Sequence, residues 1–276
     1  MKQEQATLGI IAGGGSLPKA LVEACHHQKR KIFVLALRGQ GNEDLARQEP
    51  GAVIRLGAIG QAARLLKKAK VRDLVFIGSV RRPSVAEIRP DMKAMGMLIR
   101  VGFRLLGDDS LLKIILKEAE KEGFHVVGVD SVVPEILAPE GVYGKISPDA
   151  KDLKDIQQGV QVAKTLGQVD VGQAVIVQHG LVLAVEGIEG TAAMIKRTES
   201  LKRKGGGGVL VKVAKPQQDR RVDLPTIGPN TVQAVYDSGF KGIAVESGAA
   251  LLAEEEEMMV LANRLGIFVM GVSCRN

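Results

Sequence analysis

The chain has 276 residues, a formal charge of +7, 45% hydrophobic residues and only 3% aromatic residues. That length suits two domains of ordinary size, and the charge suits nucleic acid, anionic lipid or a phosphorylated small molecule. So few aromatics cannot build a base-stacking ladder, so nucleic acid is not expected as a partner. Cys25 and Cys274 make no disulfide framework and nothing has zinc-ligand spacing, which fits a reducing cytoplasm. The first apolar run stops at Gly13, too soon for a signal peptide. No stretch approaches the roughly 20 apolar residues that span a bilayer, so any membrane contact is expected to be peripheral.

Residues 7–12 read as a buried strand, followed by Gly13, Gly14 and Gly15 and a helix over 16–28. Strands are expected over 31–37 and 52–56, then a helix over 61–69 and a strand over 74–77 that ends at Gly78 and Ser79. A helix over 108–122 and a strand over 124–129 follow. Continuous apolar runs alternating with amphipathic helices indicate an α/β fold, a parallel sheet with crossover helices. Pro134, Pro139, Gly141, Gly144 and Pro148 then break the pattern. A first domain is therefore placed at 1–134, a linker at 135–148 and a second α/β domain at 149–276. In the second domain a helix is expected over 149–166, and a hairpin of strands 174–177 and 181–185 around His179 and Gly180. A helix over 191–202, a flexible glycine turn over 205–208 and a strand over 209–213 come next. A helix over 230–237 precedes strands over 242–245 and 267–272, which flank a helix starting near Glu254. The acidic run from Glu254 to Glu257 suits that helix's first turn, where carboxylates complement the macrodipole.

Several segments could carry chemistry. The turn at Gly13, Gly14 and Gly15, between a first strand and a first helix, is expected to offer backbone N–H groups to a phosphate at a positive helix end. Pro18 stands where the dinucleotide fingerprint wants glycine, and the second strand ends at Leu37 and Arg38 without an acid for a ribose, so NAD is disfavoured. A tight turn without a ligand remains the alternative. Ser79, Val80, Arg81 and Arg82 follow the fourth strand, where ligands of open α/β sheets collect; the arginines could grip phosphate or form a solvated basic loop. Asp108 and Asp109 read first as a helix cap, and as metal or sugar contacts second. The 214–229 connection is long, polar and stiffened by Pro216, Pro225 and Pro229, and it carries Lys215 and Asp223. Asp223, between apolar neighbours, could bind Mg²⁺ or orient water, and Lys215 could balance phosphate charge. Gln173 in the 170–173 segment and Glu186 in the 186–191 segment are smaller candidates, with Thr191 a natural N-cap. His26, His27, His125 and His179 read as structural or surface residues.

Taken together the segments resemble one family. They are LGIIAGGGSLP at 8–18, GSVRRP at 78–83, GDDSLL at 107–112, EGF at 122–124, DVGQ at 170–173, VEGIEGT at 185–191 and the segment 215–228. The family is the UDP-2,3-diacylglucosamine diphosphatase of Gram-negative bacteria that lack the calcineurin-like enzyme, and the resemblance runs over 8–272. It implies a Rossmann-like N-terminal domain, a distinct C-terminal α/β catalytic domain and a ligand between them. It further implies Mg²⁺-assisted hydrolysis (Mn²⁺ is the alternative ion) of a lipid-linked nucleotide sugar to 2,3-diacylglucosamine 1-phosphate (lipid X) and UMP. The family's critical acid falls on Asp223, as catalytic residue and metal ligand. Substrate contacts are expected at Gly13, Gly14, Gly15, Ser79, Val80, Arg81, Gln173, Glu186, Thr191 and Lys215. The implied place is the cytoplasmic face of the inner membrane, held peripherally. Two positions depart from the family's pattern: Ser79 stands where an amide is frequent, and Ala192 where an aspartate is.

Met92, Met95, Met97, Leu98, Ile99, Val101 and Phe103 form the most apolar surface stretch, read first as core or homodimer packing and second as lipid contact. Two other function classes stay open at this level: a non-catalytic carrier of a lipid-sugar phosphate, and a nucleotide-dependent oxidoreductase.

Overall fold

The computed structural model describes residues 6–80, 90–101 and 108–274. It divides into two compact units, 1–134 and 135–276.

The first unit contains β1 (Thr7–Ala12), α1 (Leu17–His27), β2 (Ile32–Leu37), α2 (Leu45–Gln48), β3 (Gly51–Ile54), α3 (Ile59–Lys68), β4 (Val71–Ile77), α4 (Met92–Val101), α5 (Asp108–Lys121) and β5 (His125–Val126). The five strands form one sheet in the order β3-β2-β1-β4-β5, and every pair is parallel. The continuous apolar runs of β1 and β2 make this possible, because strands covered on both faces leave no face for water. α1 buries Leu17, Leu21, Val22 and Cys25, residues one turn apart on a single stripe. β2, β3, α3 and β4 close a core of Leu35, Leu37, Ile54, Leu66, Val71 and Leu74, completed by Phe124. The strand order places β1 between β2 and β4, so the build reverses direction there, and ligands of open α/β sheets bind at that reversal. Met92 and Met95 in α4 are exposed and Ala94 is buried. The side chains of Met97, Leu98, Ile99 and Val101, and all of Phe103, lie outside the described residues.

The second unit contains β6 (Gly141–Tyr143), α6 (Ala150–Gln168), β7 (Ala174–Gln178), β8 (Leu181–Val185), α7 (Thr191–Thr198), β9 (Val209–Lys212), β10 (Thr226–Ile227), α8 (Pro229–Asp237), β11 (Gly242–Glu246), β12 (Leu251–Leu252), α9 (Glu255–Leu265) and β13 (Phe268–Val272). Six strands form a mixed sheet, β6-β13-β11-β9-β7-β8, and β10 pairs with β12 in a small second sheet. β9, β11 and β13 are parallel, whereas β7 runs antiparallel to both β9 and β8. One end of the sheet therefore gathers the exits of β8, β9, β11 and β13 and the entry to β7. α6 starts at a capping box in which Asp149 accepts the N–H groups of Lys151 and Asp152 and Asp152 accepts that of Asp149. It lies close on the sheet because Gly159 has no side chain: a Cβ there would stand 2.5 Å from Val211 Cγ2.

Segment 135–148, expected as a linker, is part of this second unit. Leu137 bridges Leu251, Ala138 N–H donates to the Ala250 carbonyl, and β6 pairs antiparallel with β13. Its prolines and glycines shape an edge strand and its turns, which sequence patterning does not separate from a linker. The helix expected over 191–202 ends at Thr198 and continues as a short 3₁₀ turn, Glu199–Leu201.

Candidate functional site

In the first unit the two expected phosphate segments meet. β1 and β4 are neighbours, so their C-terminal exits lie side by side, and Gly14 and Ser79 form an isolated antiparallel bridge there. Gly14 N–H donates to Ser79 O at 2.6 Å, Ser79 N–H returns to Gly14 O at 2.9 Å, and Gly13 N–H donates to Ile77 O at 2.9 Å. Asn42, in the loop after β2, donates its side-chain amide to the carbonyls of Gly13 and Gly15.

For two of the three glycines the backbone is used differently from the phosphate cradle expected of the turn. The N–H groups of Gly13 and Gly14 are taken up by the protein's own carbonyls and are not offered to a phosphate. These glycines permit close backbone approach: a Cβ at Gly13 would stand 2.4 Å from Ser79 O, and one at Gly14 2.5 Å from Gln40 O. Gly15 differs, with φ of +88° and open space where a Cβ would stand, at the entrance to α1. Ser79 and Val80 are exposed beside it. Arg81 and Arg82 lie outside the described residues, as does Gly107; Asp108 and Asp109 open α5.

In the second unit the expected residues gather at the sheet end where the parallel strands exit. Glu186 follows β8 and is 6% exposed. Its Oε2 accepts the backbone N–H of Gln173 at 3.2 Å, and its Oε1 accepts the Thr191 hydroxyl at 2.6 Å. Thr191 is therefore not the N-cap of α7. Gly190 holds that place without a side-chain cap, and the Thr191 hydroxyl turns to the carboxylate instead. Gly172 permits the approach of these two loops, since a Cβ there would stand 2.1 Å from Glu186 O. The side-chain Oε1 of Gln173 is buried and has no hydrogen-bond partner among the described residues.

Asp223 lies in the connection between β9 and β10. Its N–H donates to Asp219 O at 3.1 Å, and its Oδ2 accepts Gln218 Nε2 at 2.7 Å. Lys215, expected to balance phosphate, pairs its ammonium with Asp170 Oδ1 at 2.8 Å.

Lys212 is not among the residues expected from the sequence to form the site. Lys212, the last residue of β9, is 9% exposed and donates Nζ to Thr226 O at 3.0 Å. Burial pushes its ammonium down from the usual lysine range, and the carboxylates of Glu186 and Asp223 pull it back up. The signal was available in the strand alternation: Lys212 shares a face with Leu210, a residue of the buried core, so its charge points inward. A buried ammonium is costly unless paired, and here Glu186 and Asp223 act on it together. Lys212 is thus within electrostatic range of both Glu186 and Asp223; Gln173 and Thr191 hold Glu186, Gln218 holds Asp223, and Thr226 accepts from Lys212. Among the described residues no three His, Cys, Asp or Glu side chains gather as a metal-ligand set, and no helix is long and apolar enough to cross a membrane.

Residues 7–136 match the model of the LpxI N-terminal domain, and residues 139–270 match that of the LpxI C-terminal domain. The UDP-2,3-diacylglucosamine pyrophosphatase LpxI of Caulobacter vibrioides is 40% identical over 273 residues, which cover 96% of this chain and 97% of that protein. Two solved structures share a distant likeness. The N5-carboxyaminoimidazole synthase of Aspergillus clavatus, with ADP and 5-aminoimidazole ribonucleotide, aligns at a TM-score of 0.27 and 10% identity over 72% of this chain and 44% of that one. The enzyme WbmG of Bordetella bronchiseptica, with NAD and UDP, aligns at 0.34 and 13% over 99% and 81%. At those TM-scores neither bears on the site. With both domain models matched in order and a relative similar along its whole length, the chain belongs to the LpxI family.

Proposed function

We propose that this chain is a hydrolase of lipid A biosynthesis that cleaves UDP-2,3-diacylglucosamine into 2,3-diacylglucosamine 1-phosphate and UMP, with water attacking the α-phosphorus. The observation that carries the proposal is that Glu186, held by Gln173 and Thr191, and Asp223 both act on the buried Lys212 in the C-terminal family domain. Support comes from the relative of that activity, similar over 97% of its length.

The residues divide the work by their chemistry. Glu186 is held by Thr191 and the Gln173 backbone, so its charge has a defined place. The Lys212 ammonium interacts electrostatically with both Glu186 and Asp223 and offsets part of their negative charge. Asp223 would hold the divalent ion, Mg²⁺ or Mn²⁺, and the group fits a hard cation because its donors are oxygens. Mg²⁺ is commonly bound by one or two carboxylates, with phosphate oxygens and waters completing its shell, so no larger cluster is required. When bound, the ion supplies charge neutralisation at the phosphate oxygens. In this reading Asp223 would also orient the attacking water. The formal charge of +7 favours a peripheral position at an anionic cytoplasmic membrane surface.

The test is a product assay on UDP-2,3-diacylglucosamine in ¹⁸O-water. UMP and the lipid phosphate should appear together, with the label in UMP. Label in the lipid phosphate would place the attack on the other phosphorus, and absence of products would refute the reaction.

A further inference from the structure

Resting on that reading of Asp223, we infer that Gln218 is a positioning residue that sets the orientation of the Asp223 carboxylate. Gln218 is 8% exposed, between the exposed Gln217 and the half-buried Asp219. Its Oε1 accepts the backbone N–H of Lys215 at 2.9 Å, and its Nε2 donates to Asp223 Oδ2 at 2.7 Å. The amide can meet both partners in only one orientation. A backbone N–H only donates, so it selects the oxygen end; an ionised carboxylate only accepts, so it takes the nitrogen end.

The surrounding turns fix the remaining freedom. Gln218 N–H donates to Lys215 O at 3.2 Å, closing the turn that begins where the connection leaves the sheet. Val222 and Asp223 both direct their N–H groups to Asp219 O, and Asp219 is gripped by the Arg221 guanidinium. With the backbone on both sides anchored, the Gln218 amide presents a donor of fixed position to Asp223 Oδ2 and so constrains that carboxylate. Lys212 acts on the same carboxylate from the strand end, as a charge without such directional control. Gln218 thus transmits the position of the Lys215 backbone to the acid that carries the chemistry.

The experiment compares wild type, Gln218→Glu and Gln218→Met in steady-state turnover of UDP-2,3-diacylglucosamine, with thermal unfolding of each. Glutamate keeps the shape and the acceptor for Lys215 N–H but turns an oxygen toward Asp223. Methionine fills the space and repels nothing. The expected result is a fall in kcat of about 10²-fold for Gln218→Glu, the scale of a misplaced reacting group, with KM within a few-fold of wild type and a smaller fall for Gln218→Met. A purely structural role predicts the reverse order, because glutamate preserves the turn and methionine does not. Near wild-type kcat in Gln218→Glu, a loss confined to KM, or the reverse order overturns the inference. A second readout needs neither turnover nor a folded Gln218 variant. In ¹⁵N–¹H spectra of the full chain, the shifted side-chain amide pair of Gln218 should move on Asp223→Ala, and an unmoved pair also overturns the inference. A wild type without turnover would refute the proposed reaction, while the spectrum would still decide whether Gln218 holds Asp223.

Discussion

Gly14 offers a test of what the glycine turn is for. A Cβ at this position would lie 2.5 Å from the carbonyl oxygen of Gln40 and 3.1 Å from Ser79 Oγ. The first contact is with backbone and falls roughly 1 Å short of ordinary packing distance, so the loop after β2 must retreat or Gly14 must shift. A shift of Gly14 disturbs its two hydrogen bonds with Ser79. Overpacking of about 1–3 kcal/mol together with about 1 kcal/mol for weakened hydrogen bonds gives a loss of about 2–4 kcal/mol for Gly14→Ala. In a domain of this size that lowers Tm by roughly 8–16 °C. Gly14→Val should be worse, not neutral to the fold. Gly15→Asn is the control. Nothing lies within 4 Å of its Cβ, and asparagine enters the left-handed region at a cost of about 1 kcal/mol or less. Calorimetry of the full chain should separate the two variants clearly. Equal Tm values for Gly14→Ala and Gly15→Asn would refute the reasoning, since the turn would then have room the geometry denies it. If the reasoning holds, loss of substrate binding in a Gly14 variant reports a damaged fold and not a lost phosphate contact.

Asp223→Ala should leave the chain folded, because Asp223 is only half-buried in a connection, and should lower kcat by about 10²-fold or more. A variant active to within a few-fold would remove Asp223 from the mechanism, and an unfolded one would make its role structural. Excess chelator should abolish turnover and added Mg²⁺ restore it; full activity in EDTA would exclude the metal. Glu122 is held down to about 2 by hydrogen bonds from Lys67 and Lys93. Its depressed value means its stabilising effect is complete above the unfolded glutamate range and is lost as pH falls through about 2. The Tm difference between wild type and Glu122→Gln should therefore be largest above pH ~5 and close as the pH approaches that value. A difference constant over that range would show that charge is not its source.

Much of the first domain could be read directly along the chain. The apolar runs of β1, β2 and β4, the glycine turn and the helix stripe of Leu17, Leu21 and Cys25 are local patterns, set by neighbours within one or two turns. The 135–148 segment could not be read that way, because an edge strand pairing with β13 differs from a linker only in a partner more than a hundred residues away. The 170–173, 186–191 and 214–229 segments and Asp223 were legible as separate polar interruptions, but not as neighbours. Strand order brings Gln173, Glu186, Thr191 and the connection that carries Asp223 to one sheet end, and puts the Lys212 charge within electrostatic range of Glu186 and Asp223. It likewise engages the Gly13 and Gly14 N–H groups with the Ile77 and Ser79 carbonyls, by placing β4 beside β1. Local sequence determines which elements form and which residues interrupt them. Long-range strand pairing determines which interruptions share a space, because the hydrogen bonds and charges that define a site form only between groups a few ångströms apart.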